Sequence, residues 1–155
     1  MCIRDRFSIE GAAFVEKCMS VKNPILNVSS VVWKRSNLSE ALNQSMIEVT
    51  GYRLVGDWRL YLEVLSQPGV EISYTPEALN VHRRHSESVT HSIDPEKHLA
   101  EIDAIHSVIK MRFGVASEVE SDMTDYLVEL RQQFGVPETQ SEQQASSKDS
   151  DSKAA

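Results

Sequence analysis

Three short stretches of the chain carry residue types that can do chemistry. Asp57 stands in Gly56-Asp57-Trp58, where a helical pattern begins. A carboxylate there is either a helix cap or a base that takes up a proton. The two roles pull against each other, because a helix N-terminus favours the ionised form and so limits basicity. The second stretch is His82-Arg83-Arg84-His85, followed by Ser86, Ser88 and Thr90. Guanidinium forks beside imidazoles and hydroxyls match phosphate oxygens in geometry and charge. The alternative is a solvated loop whose arginines pair with Glu77 and Glu87. The third stretch, Asn27-Val28-Ser29-Ser30, sets an amide and hydroxyls in an apolar run. It is also a glycosylation sequon, which a cytoplasmic chain would not use.

All 5 histidines fall between positions 82 and 106. His82 and His85 have a spacing seen in metal sites, but no second pair of Cys or His at a recognised distance accompanies them. His98 and His106 fall on a helical pattern and are expected at its surface.

The elements that must position these residues follow from hydrophobic periodicity. Residues 9–20 read as a short helix with Phe14, Val15, Cys18 and Met19 as its apolar stripe. Asn23-Pro24 breaks the pattern, and residues 25–33 then read as a β-branched strand. Asn37 with Glu40 three residues on forms a capping box. It opens a helix carrying Leu38, Ala41, Leu42, Met46 and Val49 on one side. Residues 57–67 form the next helix, with Trp58, Tyr61, Leu62 and Leu65 inward, ended by Pro68-Gly69. Val70, Ile72 and Tyr74 alternate as a half-buried strand. Asp94-Pro95 starts a long helix that buries Leu99, Ile102, Ile105, Ile109 and Phe113. Residues 117–134 form another helix with Val119, Met123, Tyr126, Leu130 and Phe134 inward and Gly135 at its end. From Pro137 onward the chain lacks large apolar residues and is expected to be disordered.

Helix, strand, helix, helix, strand over residues 7–92 indicates an α/β class, yet too few strands for a self-sufficient sheet. A helical extension over 93–135 and a tail over 136–155 follow. The chain of 155 residues is 41% hydrophobic and 25% charged, which suits about one globular domain. A net charge of -7 without a basic run makes nucleic acid an unsuitable partner. No apolar run approaches the roughly 20 residues of a membrane span, and no signal peptide is visible. Two cysteines, Cys2 and Cys18, fit a reducing compartment. The opening MCIRDR, back-translated as ATG TGT ATA AGA GAC AG, resembles the transposase end sequence used for sequencing libraries. Residues 1–6 are therefore expected to be a non-native scar.

Taken together, NPILNVSSVVWKRS, GDWRLYLEVLSQPGVEISYTPEALN and VHRRHSESVT, in that order and spacing, resemble the C-terminal half of a bacterial family-two glycosyltransferase domain of the GT-A fold. The resemblance covers about residues 11–92. It implies transfer of a sugar from a nucleotide-sugar donor to a polysaccharide or lipid-linked acceptor, with inversion. Asp57 matches the general base on the acceptor hydroxyl. Arg83 and Arg84 match residues beside the leaving diphosphate. His85 matches a position that can also ligate a divalent metal, Mg or Mn. Asn27, Ser29 and Ser30 match the acceptor side, and Trp58 packs under the sugar or in the core. The family's Asp-x-Asp motif is missing from the front of this chain, and Asp149-Ser150-Asp151 in the tail is a chance match. The resemblance thus implies that the donor-binding N-terminal half lies upstream and that the chain alone is inactive. The expected location is the cytoplasm, with peripheral attachment to the inner face of the membrane as an alternative. Two rival expectations stand beside it: a non-catalytic helical interaction module using residues 94–135, and a small metal-binding protein using His82, His85 and His91.

Overall fold

The computed structural model describes residues 5–79, 81 and 94–137. His82, Arg83, Arg84, His85, Ser86, Ser88, Thr90 and His91, the first four positions and the tail beyond Pro137 lie outside the described residues.

Helices and a small sheet are mixed along the chain. Strand β1 (Phe7–Glu10) leads into α1 (Gly11–Phe14) and a π-helical turn (Val15–Met19). Helices α2 (Arg35–Thr50) and α3 (Gly56–Leu65) precede strand β2 (Glu71–Tyr74), and α4 (Pro95–Phe113) and α5 (Ser117–Phe134) follow. The strands β1 and β2 pair antiparallel, Phe7 opposite Tyr74 and Glu10 opposite Glu71. Phe7 stacks on Tyr74 with ring centroids 5.5 Å apart. The Glu10–Glu71 pair sets like charges face to face, which weakens the ribbon. A pair of strands this short holds only where it packs against something else. Here that is α1: the Gly11 N–H donates to the Val70 carbonyl at 2.7 Å, joining the end of β1 to the start of β2.

The core is one cluster. Phe14, Val15 and Met19 from the first segments, Ala41 from α2, Trp58, Tyr61 and Leu62 from α3, Ile102, Ile105 and Ile109 from α4, and Met123 from α5 are all buried within it. Helix α3 sits at its centre. Trp58, Arg59, Tyr61, Leu62, Val64 and Leu65 are buried, so apolar contact surrounds the helix instead of following one stripe. The residues expected inward on α3, α4 and α5 are all buried or half-buried, Phe113 among the half-buried, and on α3 Arg59 and Val64 are buried beside them. Asp94 caps α4, accepting the Lys97 N–H at 3.4 Å. Gly135 ends α5 in the left-handed conformation, φ 68°.

Four expectations are corrected. Residues 25–33 form no strand. The Asn27 side chain accepts the Ser29 N–H at 3.0 Å and the Ser29 hydroxyl at 2.8 Å, folding Val28–Ser30 into a 3-10 turn. Asn and Ser side chains offered the backbone local partners in place of a ladder. The capping box is absent as well. Helix α2 begins at Arg35, which places Asn37 inside the first turn, where its Oδ1 accepts the Ser36 hydroxyl at 3.2 Å. Met46 leaves the inward face of α2 and is 50% exposed, while Ser45 is buried. The backbone departs from helical geometry at Ser45 (φ -134°, ψ 21°), which turns the stripe. Finally, residues 9 and 10 of the expected first helix belong to β1.

The approach of α1 to α3 is set by the absence of a side chain. A Cβ on Gly11 would lie 2.4 Å from the Leu65 carbonyl oxygen, a backbone atom that cannot rotate away. Gly11→Ala is expected to destabilise the protein by about 1–3 kcal/mol in urea unfolding. An unchanged midpoint would show that the two helices separate freely.

Candidate functional site

The turn before α3 is fixed from a distance. One carboxylate, Glu101 on α4, accepts the N–H groups of Arg53 (3.0 Å), Leu54 (2.8 Å) and Val55 (3.0 Å). Val55 occupies the cap position of α3. Glu101 thus takes up the cap residue's N–H, which a helix N-terminus otherwise leaves open, together with two amides of the preceding turn, and it pins the backbone two residues ahead of Asp57.

Asp57 itself is not the cap. It lies in the first turn of α3, half-buried, and its Oδ1 accepts the N–H of its neighbour Trp58 at 2.7 Å. Burial pushes its carboxyl above the ordinary value, and the local N–H bonds only partly oppose this. The expected depression by the helix terminus is therefore overturned: loss of solvent outweighs the local donors. One turn on, the Tyr61 hydroxyl is buried without a partner among the described residues. Burial pushes this phenol up, and the Asp57 charge adds to the shift.

Trp58 takes the core role. It is 2% exposed and stands edge-on to His106, with centroids 5.8 Å apart and an interplanar angle of 85°. A sugar has no access to it in this arrangement. Asn27 is half-buried, and Ser29 and Ser30 are exposed on the 3-10 turn. Their hydroxyls are engaged locally, Ser30 Oγ donating to the Asn27 carbonyl at 2.6 Å. Arg83, Arg84 and His85 lie outside the described residues, so their relation to Asp57 is not part of this geometry. Among the described residues no group of three or more His, Cys, Asp or Glu could hold a metal ion. Asp57 alone offers one carboxylate, and the described residues do not fit a divalent ion. Two open hollows, of about 590 Å³ beside Phe7 and Tyr74 and about 410 Å³ beside Tyr52 and Lys97, both exclude Asp57 from their linings.

The expectation of surface histidines on α4 fails. His106 is 1% exposed and His98 is half-buried against Phe134, with centroids 5.6 Å apart. Their positions on the apolar face were readable from the spacing with Ile102 and Ile109, but a polar residue type argued the other way.

Sequence reasoning also missed a buried ionic group behind the site. Glu63 pairs with Arg59 one turn earlier on α3, accepts Arg112 Nη1 of α4 at 2.7 Å and accepts the Ser45 hydroxyl of α2 at 2.9 Å. The Arg59 and Glu63 side chains are 4% and 9% exposed. Only the Arg59–Glu63 spacing of four was visible in the sequence. Compared with known proteins, the chain matches no family model, no curated protein and no solved structure.

Two measurements follow from this geometry. A carboxyl raised by burial binds more protons in the folded than in the unfolded state, so its ionisation costs stability above the acid range. Asp57→Asn removes that cost. The variant should show a higher Tm than wild type at pH 7, and the advantage should vanish as pH falls toward the ordinary value of 3.8. An equal or lower Tm at pH 7 would contradict the desolvated carboxylate. Glu101→Ala, in contrast, leaves three amides without their acceptor. A loss of about 1–3 kcal/mol and faster hydrogen exchange at Arg53, Leu54 and Val55 are expected, and unchanged exchange would refute the clamp.

Proposed function

We propose that residues 7–92 are the acceptor-side half of a nucleotide-sugar-dependent glycosyltransferase domain and that Asp57 is its general base. The observation that supports this most is the half-buried carboxylate at the head of α3, raised by burial. A raised carboxyl is better matched to accepting a hydroxyl proton than one depressed by a helix terminus. Its Oδ1 is engaged by the Trp58 N–H. The carboxylate takes only N–H donors of its own turn, from Trp58 and from Asp57 itself, and no side chain among the described residues pairs with it.

In this reading the acceptor hydroxyl oxygen forms a bond to the anomeric carbon of the donor sugar. Its proton passes to Asp57. The bond from the anomeric carbon to the diphosphate breaks on the opposite side, and the nucleoside diphosphate leaves with inversion. Arg83 and Arg84 neutralise the leaving group, and His85 lies beside them. Ser29, Ser30 and Asn27 meet the hydroxyls of a polysaccharide or lipid-linked acceptor. Trp58 acts from the core, holding the helix that presents Asp57. In this reading residues 7–92 do not themselves supply the donor-binding part, and the reaction takes place on the cytoplasmic side.

Turnover of nucleotide sugars, by this chain and by any longer natural protein that contains it, tests the reading. Asp57→Asn should lower kcat by about 10²–10⁴-fold while raising stability, a combination typical of a residue kept for activity. Unchanged turnover in the variant would discard Asp57 as the base. Failure of the wild-type protein to release nucleoside diphosphate from any nucleotide sugar would discard the transferase.

A further inference from the structure

Four segments meet at His106. The ring sits on α4, 1% exposed, and its Nε2 lies 2.8 Å from the Val21 carbonyl just beyond the π-helical turn. A carbonyl only accepts, so Nε2 carries the hydrogen and Nδ1 of the neutral ring is bare. That Nδ1 is buried without a hydrogen-bond partner among the described residues. Trp58 of α3 stands edge-on to the ring, and Tyr126 of α5 lies 6.4 Å away between centroids.

On balance these surroundings disfavour a cation, because burial outweighs the groups that favour one. Trp58 is uncharged, and burial pushes the Tyr126 phenol up, so it stays un-ionised. The Val21 carbonyl, held by Nε2–H, favours the charged ring but is outweighed by burial and offers nothing to Nδ1. Asp57 of α3 keeps its Oδ1 on the Trp58 N–H and makes no bond to the imidazole. On α4 itself Asp103 and Lys110 flank the ring with opposing charges. A second proton would therefore sit at an apolar interface with no acceptor to reach, a costly position for a charge.

We infer that His106 is an acid-sensitive latch: neutral, it ties the segment at Val21 to α4 and closes the junction of α3, α4 and α5, and protonated at Nδ1 it releases α4 and α5 from α3. Burial holds the imidazole below its ordinary value of 6.5. The open state thus takes up the proton first. Stability is complete above that value and falls as pH drops through the folded-state value. His98 shifts in the same direction, by burial against Phe134 with the Glu101 charge opposing. It touches neither α3 nor the Val21 segment in the contacts observed, which makes it the control.

The test is a per-residue NMR titration of the whole chain from pH 8 to 5. Ring nitrogen shifts at pH 8 should show the Nε2–H tautomer at His106. As pH falls, the Trp58 indole N–H resonance and the tertiary side-chain signals of α4 and α5 should be lost together, with helical circular dichroism largely kept. His106→Gln keeps an N–H for the Val21 carbonyl and has no proton to gain. It should move the transition down by about one pH unit or more, while His98→Gln leaves it in place. A His106 ring that titrates at its ordinary value with Trp58 unperturbed overturns the latch. So does a transition that follows His98→Gln. Where His106→Gln does not fold, the wild-type titration alone decides, because the His106 and Trp58 resonances must change over the same pH range.

Discussion

A helix buried on nearly every side must satisfy its polar residues from within the protein, and α3 is such a helix. Six of its ten residues are buried, and one of the six is Arg59. A guanidinium taken out of water requires a partner, and Glu63 supplies it from the same helix. Glu63 then draws in Ser45 from α2 and Arg112 from α4. One carboxylate thereby sets the register of three helices. The bend of α2 at Ser45 falls at the point where its hydroxyl turns toward Glu63.

The N-terminal end of α3 is held by the same logic with a different partner. Glu101 collects three consecutive amides from the turn ahead of the helix. Both ties reach α4, so the packing of α4 governs where Asp57 stands. This makes the Asp57 carboxylate unusual among the acidic residues near α3. Glu63 and Glu101 each have several donors from other parts of the fold. Asp57 has its neighbour's N–H and incomplete hydration. An acid left in that condition weakens the fold at neutral pH.

Legibility in the sequence varied with the kind of force involved. The faces of α3, α4 and α5 were readable because burial of Trp58, Leu62, Ile105 and Met123 follows the helical period. The pairing of β1 with β2 was half readable. Val70, Ile72 and Tyr74 alternate, but Phe7–Glu10 is too short to stand out against the helix it joins. The stretch 25–33 misled because β-branched composition reports fitness for a sheet, not the presence of one. Asn27 decided locally for a turn. His106 misled because an imidazole is polar by type and takes an interior place only when a carbonyl such as that of Val21 meets it.

By itself, then, the sequence determined which helices form and which faces they bury, since those depend on neighbours three and four residues away. It also marked Asp57 as an acid at a helix head. Only the tertiary structure decided that burial would outweigh the helix terminus at that carboxyl, that Glu101 and Glu63 would fix the helix bearing it, and that Trp58 and His106 would close on each other in the core. Those outcomes rest on partners 18 to 85 residues apart in the chain, from Ser45–Glu63 to His106–Val21. Desolvation and long-range hydrogen bonding have no periodicity along a chain, so they become visible only once it has folded.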